Sequence, residues 1–451
     1  MAEFTHRFEK SDFGEDFTWG TASSSFQTEG AWDAAGKSPS IWDTFLHYPR
    51  VTKQVPDPKI STDFYNRYAS DLELLRSMNF SAFRFSLSWP RILPQGTGKV
   101  NPRGVDFYNK LIDTCLSREI SPWITLYHWD LPQYLEAKGG WTNRDMVNWF
   151  KEYAAICAQY FGDRVKNWMV LNEPLSFTAL GYLLGKHAPG RRGLRNFVPA
   201  IHHAALCQAE GSRVIKRTVP DARVGSTFFC AVVEPHRNTK KDCLAASKLD
   251  AALNRLFIEP ALGLGYPLSE IPELRRIEDY YAPGDDDLLA CDFDFIGLQY
   301  YFRVIAAYSR LHPFRLKEMK AAKRHAPLSL MNYEIYPQGL YRMIKKFRTY
   351  DKIKRIIITE CGVCLPDQPV DATKIMDHGR IRYYIKSLET ILNCRREGIP
   401  VDGFFAWSLT DNLEWAEGFE PRFGLVFVDY NTQTRIMKES GKWFKEFLSK
   451  K

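Results

Sequence analysis

Apolar residues along the chain fall into two alternating regimes. Short runs rich in Val, Ile, Phe and Trp, bounded by polar or turn residues, predict strands over 17–25, 82–89, 122–129, 168–174, 223–230, 293–302, 355–362 and 403–409. Between them, apolar residues recur at helical spacing and predict helices over 63–78, 103–117, 145–160, 197–217, 243–257, 338–348, 377–397 and 434–448. Parallel strands need long crossover connections, so strict alternation of strand and helix implies a parallel sheet. Eight such repeats, with no change of composition along the chain, predict closure into a single (β/α)8 barrel over 1–451, a TIM barrel with long C-terminal-face loops. Two connections are oversized, from Gly181 to Phe197 and from Arg303 to Asn332. The second carries seven Lys or Arg between Arg303 and Arg324, which read as a solvated rim.

Two glutamates break the apolar pattern at informative places. Glu173 in Trp168-Met-Val-Leu-Asn-Glu-Pro174 and Glu360 in Ile356-Ile-Ile-Thr-Glu-Cys-Gly362 each close a strand run where it meets its loop. Strand interiors in a barrel are covered on both faces, so an acid at the exit is either a paired surface group or part of a site built on the strand ends. Other exits carry polar and aromatic groups: Gln27, Arg84, His128 with Trp129, Tyr301, Trp407, Glu414 and Trp415. Each alone has a plain structural reading, since a single His or Trp is commonly a packing residue. Gathered at strand exits, amide, imidazole, carboxylate and indole suit a polyhydroxylated ring, whose edges take hydrogen bonds and whose C–H faces stack.

Composition sharpens this. With 12 Trp, 22 Tyr and 30 Phe, the chain holds more flat apolar surface than a core requires, and sugar rings are ligands for such surface. The formal charge of +8 is spread along the chain, which argues against a nucleic-acid partner. Nine cysteines without a regular framework fit reduced thiols. The stretch Met1 to Lys10 lacks an apolar signal region, and no run approaches the length of a membrane span. The expectation is a cytoplasmic protein with no membrane association, for which a homo-oligomer remains open.

Glycoside cleavage supplies a reason for two carboxyl groups, one protonated to serve the leaving oxygen and one ionised to attack the sugar. Burial after an apolar strand favours a neutral Glu173, the acid/base. Arg84 and a Tyr301 hydroxyl are expected to hold Glu360 ionised, as the nucleophile.

From Phe13 to the last helix the chain resembles glycoside hydrolase family 1, the retaining β-glucosidase group. The matching motifs are Phe17-Thr-Trp-Gly-Thr-Ala22 with Gln27, Phe83-Arg-Phe-Ser-Leu-Ser-Trp-Pro-Arg91, Leu126-Tyr-His-Trp-Asp-Leu-Pro132, Asn172-Glu-Pro174, Ile358-Thr-Glu360 and Trp407-Ser-Leu-Thr-Asp-Asn-Leu-Glu-Trp415. The resemblance implies that Gln27, His128, Asn172, Glu414 and Trp415 hold the terminal sugar on a Trp407 platform, with Trp129, Tyr301 and Phe423 also at the substrate and Tyr333 on the aglycone side. It implies no cofactor and a small-molecule β-glycoside or oligosaccharide as partner. The loop Glu414-Trp415 to Phe423 resembles the branch acting on unphosphorylated sugars, and Glu173 stands where plant thioglucosidases carry Gln. The implied activity is that of a β-glucosidase, with β-galactosides or β-fucosides as further substrates. A transglycosidase using the same intermediate, or a sugar-binding protein on a degenerate barrel, are the alternatives. The chain departs from the family pattern at Cys361, Gln299 and Tyr333. Cys361 and Cys364 form a C-x-x-C with no further ligands nearby in sequence, so no metal is expected.

Overall fold

The computed structural model describes residues 7–47, 58–312, 314–371 and 373–450. Residues 1–6, which include most of the amino-terminal stretch examined for a signal region, lie outside the described residues. The frame is a ring of parallel strands: β1 (Thr18–Ala22), β2 (Ala82–Ser86), β3 (Ser121–Tyr127), β4 (Asn167–Asn172), β5 (Arg223–Pro235), β6 (Phe295–Tyr308), β7 (Ile356–Cys361) and β8 (Val401–Trp407). Each pairs with the next, and β8 closes onto β1 in a register running from Thr18 opposite Gly403 to Ala22 opposite Trp407. The predicted (β/α)8 barrel is therefore present.

The lumen is a packed aromatic plug rather than a pore. Trp123 from β3 meets the Phe405 ring at 5.2 Å and the Phe295 ring at 5.6 Å, centroid to centroid. Two strand glycines make room for these rings: a Cβ on Gly20 would lie 2.4 Å from Phe405, and one on Gly225 would lie 2.6 Å from Phe295. This floor leaves the C-terminal ends of the strands as the accessible face, where polar residues begin.

Three boundaries differ from expectation. β1 stops at Ala22, and the tail of the predicted strand turns into the short helix Ser25–Thr28, which carries Gln27. β5 and β6 outrun their predicted ends and stay paired as far as Pro235 opposite Ala306, while Leu316–Glu318 adds to β6 as an antiparallel strand. Part of the connection predicted as a loop from Arg303 is thus a sheet extension, with the helix Lys240–Asp250 packed against both of its strands. Its basic run is not wholly a solvated rim either. Arg303 bonds Glu234 at 2.9 Å and Glu334 at 2.7 Å, and Arg324 bonds Glu334 at 2.6 Å, whereas Arg310, Arg315, Lys317, Lys320 and Lys323 are exposed.

The predicted last helix is divided. Arg435–Met437 forms a hairpin with Val426–Val428, and the helix Glu439–Ser449 begins beyond it. Lys438, between them, is fully buried. Its ammonium bonds Asp411 at 2.7 Å and Asp367 at 2.6 Å. Asp411 also takes Arg422 at 2.8 Å, and the buried Arg380 joins Asp367, Asp377 and the Arg422 carbonyl. Buried charges are tolerated when paired and hydrogen-bonded in this way, and this network underlies the loop that follows β8. Among the described residues, no helix is long and apolar enough to cross a membrane.

Candidate active site

A cavity of about 1020 Å³ opens at the C-terminal ends of the strands and is lined by Glu173, Glu360, Gln27, His128, Trp129, Asn172, Tyr301, Tyr333, Trp407, Glu414, Trp415 and Phe423. Arg84 does not line it but lies fully buried behind Glu360.

Glu360 sits at the end of β7, opposite Gln299 of β6, where the register shifts between Leu298 and Gln299. Such irregularities re-aim side chains near functional sites. One carboxylate oxygen takes the Arg84 guanidinium and the other accepts from the Tyr301 hydroxyl at 2.7 Å. The next side chain faces the other way: the Cys361 thiol is buried and meets the Tyr383 hydroxyl at 3.7 Å in the helix layer, so this departure from the family pattern does not face the cavity. Burial lifts that thiol to about 11.

Glu173 leaves β4 with a φ of 46°, and its amide bonds the Thr227 carbonyl of β5 at 2.9 Å. Trp129 (φ 78°) and Trp415 (φ 47°) share this left-handed conformation. For bulky residues it costs energy, and such outliers cluster at functional sites. Burial, reinforced by the charge of Glu360, lifts the Glu173 carboxyl to about 8. Burial also raises Glu360, against the lowering pull of Arg84 and Tyr301. Expecting Glu360 to be held simply ionised therefore left out the cost of its own desolvation; what separates the two acids is that only Glu360 has a guanidinium and a phenol on its oxygens.

Asn172 is pinned from several sides. Its side-chain oxygen accepts from Arg84 at 2.5 Å, Gln299 at 2.8 Å and Thr227 at 3.0 Å. Its amide donates to Nε2 of His128 at 3.0 Å, which puts the ring proton of a neutral imidazole on Nδ1. His128 is kept neutral by burial and by Arg84, both of which lower its pKa well below the ordinary value. Nδ1 of His128 and one carboxyl oxygen of Glu414 are buried without a hydrogen-bond partner among the described residues. Burial and the charges of Glu360 and Glu173 raise the Glu414 carboxyl to about 8. His128 and Glu414 both line the cavity.

Gln27 gives both amide protons to the loop after β8, to Asn412 at 3.1 Å and the Leu413 carbonyl at 2.7 Å, and accepts from Ser24 at 2.7 Å. It holds that loop and leaves only a lone pair for a ligand. Trp415 packs on Trp129 with centroids 4.5 Å apart, and His128 lies 6.1 Å from Trp407 in near-parallel rings. Phe423 meets Tyr301 edge-on at 6.0 Å, and Tyr333 leans on Phe302 at 4.2 Å. The structure thus brings every proposed contact residue to one cavity or directly behind it. The sequence reading passed over Thr227 and the Lys438 network. Thr227 offers no local signal, because its relation to Asn172 exists only in the β4–β5 register.

The chain matches the model of glycosyl hydrolase family 1 over residues 9–451. It is 39% identical to a 1,4-beta-D-glucan glucohydrolase of Thermotoga neapolitana over 97% of this chain and 98% of that one. It is likewise 39% identical to beta-glucosidase A of Thermotoga maritima, over 96% of both chains. The solved structure of a Thermotoga maritima beta-glucosidase in complex with glucoimidazole superposes with a TM-score of 0.91, at 38% identity over 97% of this chain and 98% of that chain.

Proposed function

The chain belongs to glycosyl hydrolase family 1, a hydrolase of O-glycosyl bonds, and from that membership we propose that it cleaves terminal, unphosphorylated β-D-glucosides with retention through a covalent glycosyl-enzyme. Glu360 is the nucleophile and Glu173 the acid and base. The observation that carries this is the unequal company of the two carboxyls: Arg84 and Tyr301 on Glu360, and burial plus the charge of Glu360 on Glu173.

In the first step a Glu360 oxygen bonds to the anomeric carbon while the bond to the aglycone oxygen breaks, and Glu173 gives its proton to that oxygen. Esterification neutralises Glu360. The part of the Glu173 shift that comes from the charge of Glu360, the smaller part beside burial, is thereby removed, which favours ionised Glu173 when base work is required. In the second step Glu173 takes a proton from water, whose oxygen bonds to the anomeric carbon as the Glu360 ester breaks. Gln27, His128, Asn172, Glu414 and Trp415 hold the sugar over Trp407. The nine cysteines fit action in a reducing, cytoplasmic setting.

The stereochemistry tests the mechanism. NMR of the first product is expected to show β-glucose, and α-glucose appearing first would replace retention with inversion. Retention also calls for carboxyl groups about 5–5.5 Å apart.

Glu414 sets the phosphate preference. A 6-phosphate brings about two negative charges into a cavity lined by five glutamates, of which Glu173, Glu360 and Glu414 form the inner group. Even protonated, Glu414 offers one donor where a phosphate needs a cation. The kcat/KM for a 6-phospho-β-glucoside is expected to be about 100-fold below that for the plain glucoside, since like-charge contacts cost several kcal/mol. Equal values would overturn the proposed substrate class.

A further inference from the structure

Resting on the glucosidase reading, we infer that the cavity beyond the two glutamates is an apolar binding bay, built for β-glucosides whose aglycone is an aryl or long alkyl group rather than a second sugar. The cavity has two differently furnished parts. Around the carboxyls stand the amide, imidazole and carboxylic groups described above. A second aromatic group continues from there, with Phe229 of β5 5.3 Å from Phe302 of β6, and Phe302 4.2 Å from Tyr333. Phe302 directly follows Tyr301, the residue that bonds Glu360, so this group begins beside the reacting centre.

Leucines extend it. Leu180 lies in the π-helical turn Ala179–Leu183 and Leu184 closes that turn, while Leu253 lies in a second π-helical turn, Ala251–Arg255; all three line the cavity. Such turns recur at functional sites because they displace a helix face. The second is fastened to β5 by Asn254, whose side chain accepts from the Ala231 amide at 3.0 Å and donates to its carbonyl at 2.9 Å. The extension of β5 and β6 beyond the rim thus supplies a wall, and the helix packed on it supplies Leu253 and, four residues earlier, Leu249.

A glucose unit in this place would present hydroxyl edges on all sides and would need paired polar groups to receive them. The charged residues that line the cavity besides Glu173, Glu360 and Glu414, namely Lys186, Lys317, Glu318 and Glu417, are all exposed. The leucines and phenylalanines are only half-buried or exposed, with Leu184 at 46%, and an apolar aglycone would cover them.

Butyl, hexyl and octyl β-glucosides test this, because their leaving alcohols are nearly equal in acidity and differ only in apolar length. Burying a methylene is worth at most about a fourfold gain, so kcat/KM is expected to rise about two- to fourfold per methylene and to exceed that for cellobiose at octyl. Leu253→Asp is expected to flatten the series, with a loss on octyl glucoside at least about tenfold larger than any loss on β-glucosyl fluoride. The fluoride has no aglycone to reach the bay, so its turnover also reports that the variant is folded. A flat alkyl series in the parent protein, or cellobiose preferred over octyl glucoside, overturns the bay while fluoride turnover leaves the glucosidase reading standing. Failure to turn over glucosyl fluoride overturns both.

Discussion

Glu360→Gln is expected to lower kcat by on the order of 10⁵-fold, the scale on which removal of a covalent nucleophile acts. The amide keeps the shape of the carboxyl and can still bond Arg84 and Tyr301, so circular dichroism and the unfolding midpoint should stay near those of the parent. Glu360→Ala is a harsher change. It leaves the Arg84 guanidinium, fully buried, without its counter-charge, and losing one member of a buried pair costs about 3–5 kcal/mol. The alanine variant nonetheless offers a chemical check. With the nucleophile removed, azide entering from that side should form the α-glucosyl azide from an activated β-glucoside. Parent-like hydrolysis by pure Glu360→Gln protein would end the assignment.

Replacing Glu173 with Ala should act by leaving group. General acid catalysis contributes about 10²–10⁴-fold, and a dinitrophenolate leaves with little protonation. Its kcat/KM should therefore change little, while an alkyl glucoside or cellobiose should lose about 10³-fold. Return of the enzyme to its free form would slow for every substrate, since no base activates water. Azide needs no base and should restore turnover, now giving the β-glucosyl azide because it attacks the glycosyl-enzyme from the opposite side. The pH dependence follows the same group. The first step needs protonated Glu173, so with poor leaving groups kcat/KM should fall as pH rises through its pKa of about 8, and this alkaline limb should vanish in the alanine variant. Equal losses on both substrate types, with no azide effect, would move the role to another residue.

The parts of this molecule legible in its sequence are those dictated by short-range pattern. Strand runs and helical spacing locate the barrel, and Glu173 and Glu360 announce themselves because an acid is out of place at the end of an apolar strand. What stayed hidden depends on partners far away in sequence. Arg303 looked like part of a solvated basic loop because the acids that take its charge, Glu234 and Glu334, are 69 and 31 residues away. Lys438 fell inside the predicted last helix, 434–448, since nothing local shows that Asp367 and Asp411 wait for its ammonium. The desolvation of Glu360 was hidden for the same reason: burial of a strand exit depends on loops from the whole rim.

The buried network around Lys438 has a consequence for how the protein is made. Asp411 carries the loop that Gln27 grips across 385 and 386 residues of chain, and its ammonium partner is 27 residues further on. Ribosomal synthesis proceeds from the amino terminus, so Gln27, in the short helix after the first strand, exists long before the loop it clasps. That loop in turn is made before the lysine that neutralises its buried acid. Contacts of such sequence separation form late, because the chain between them must first be ordered. The nascent polypeptide can therefore build most of its barrel while still tethered, but a settled loop at this wall of the cavity has to await the synthesis of residue 438.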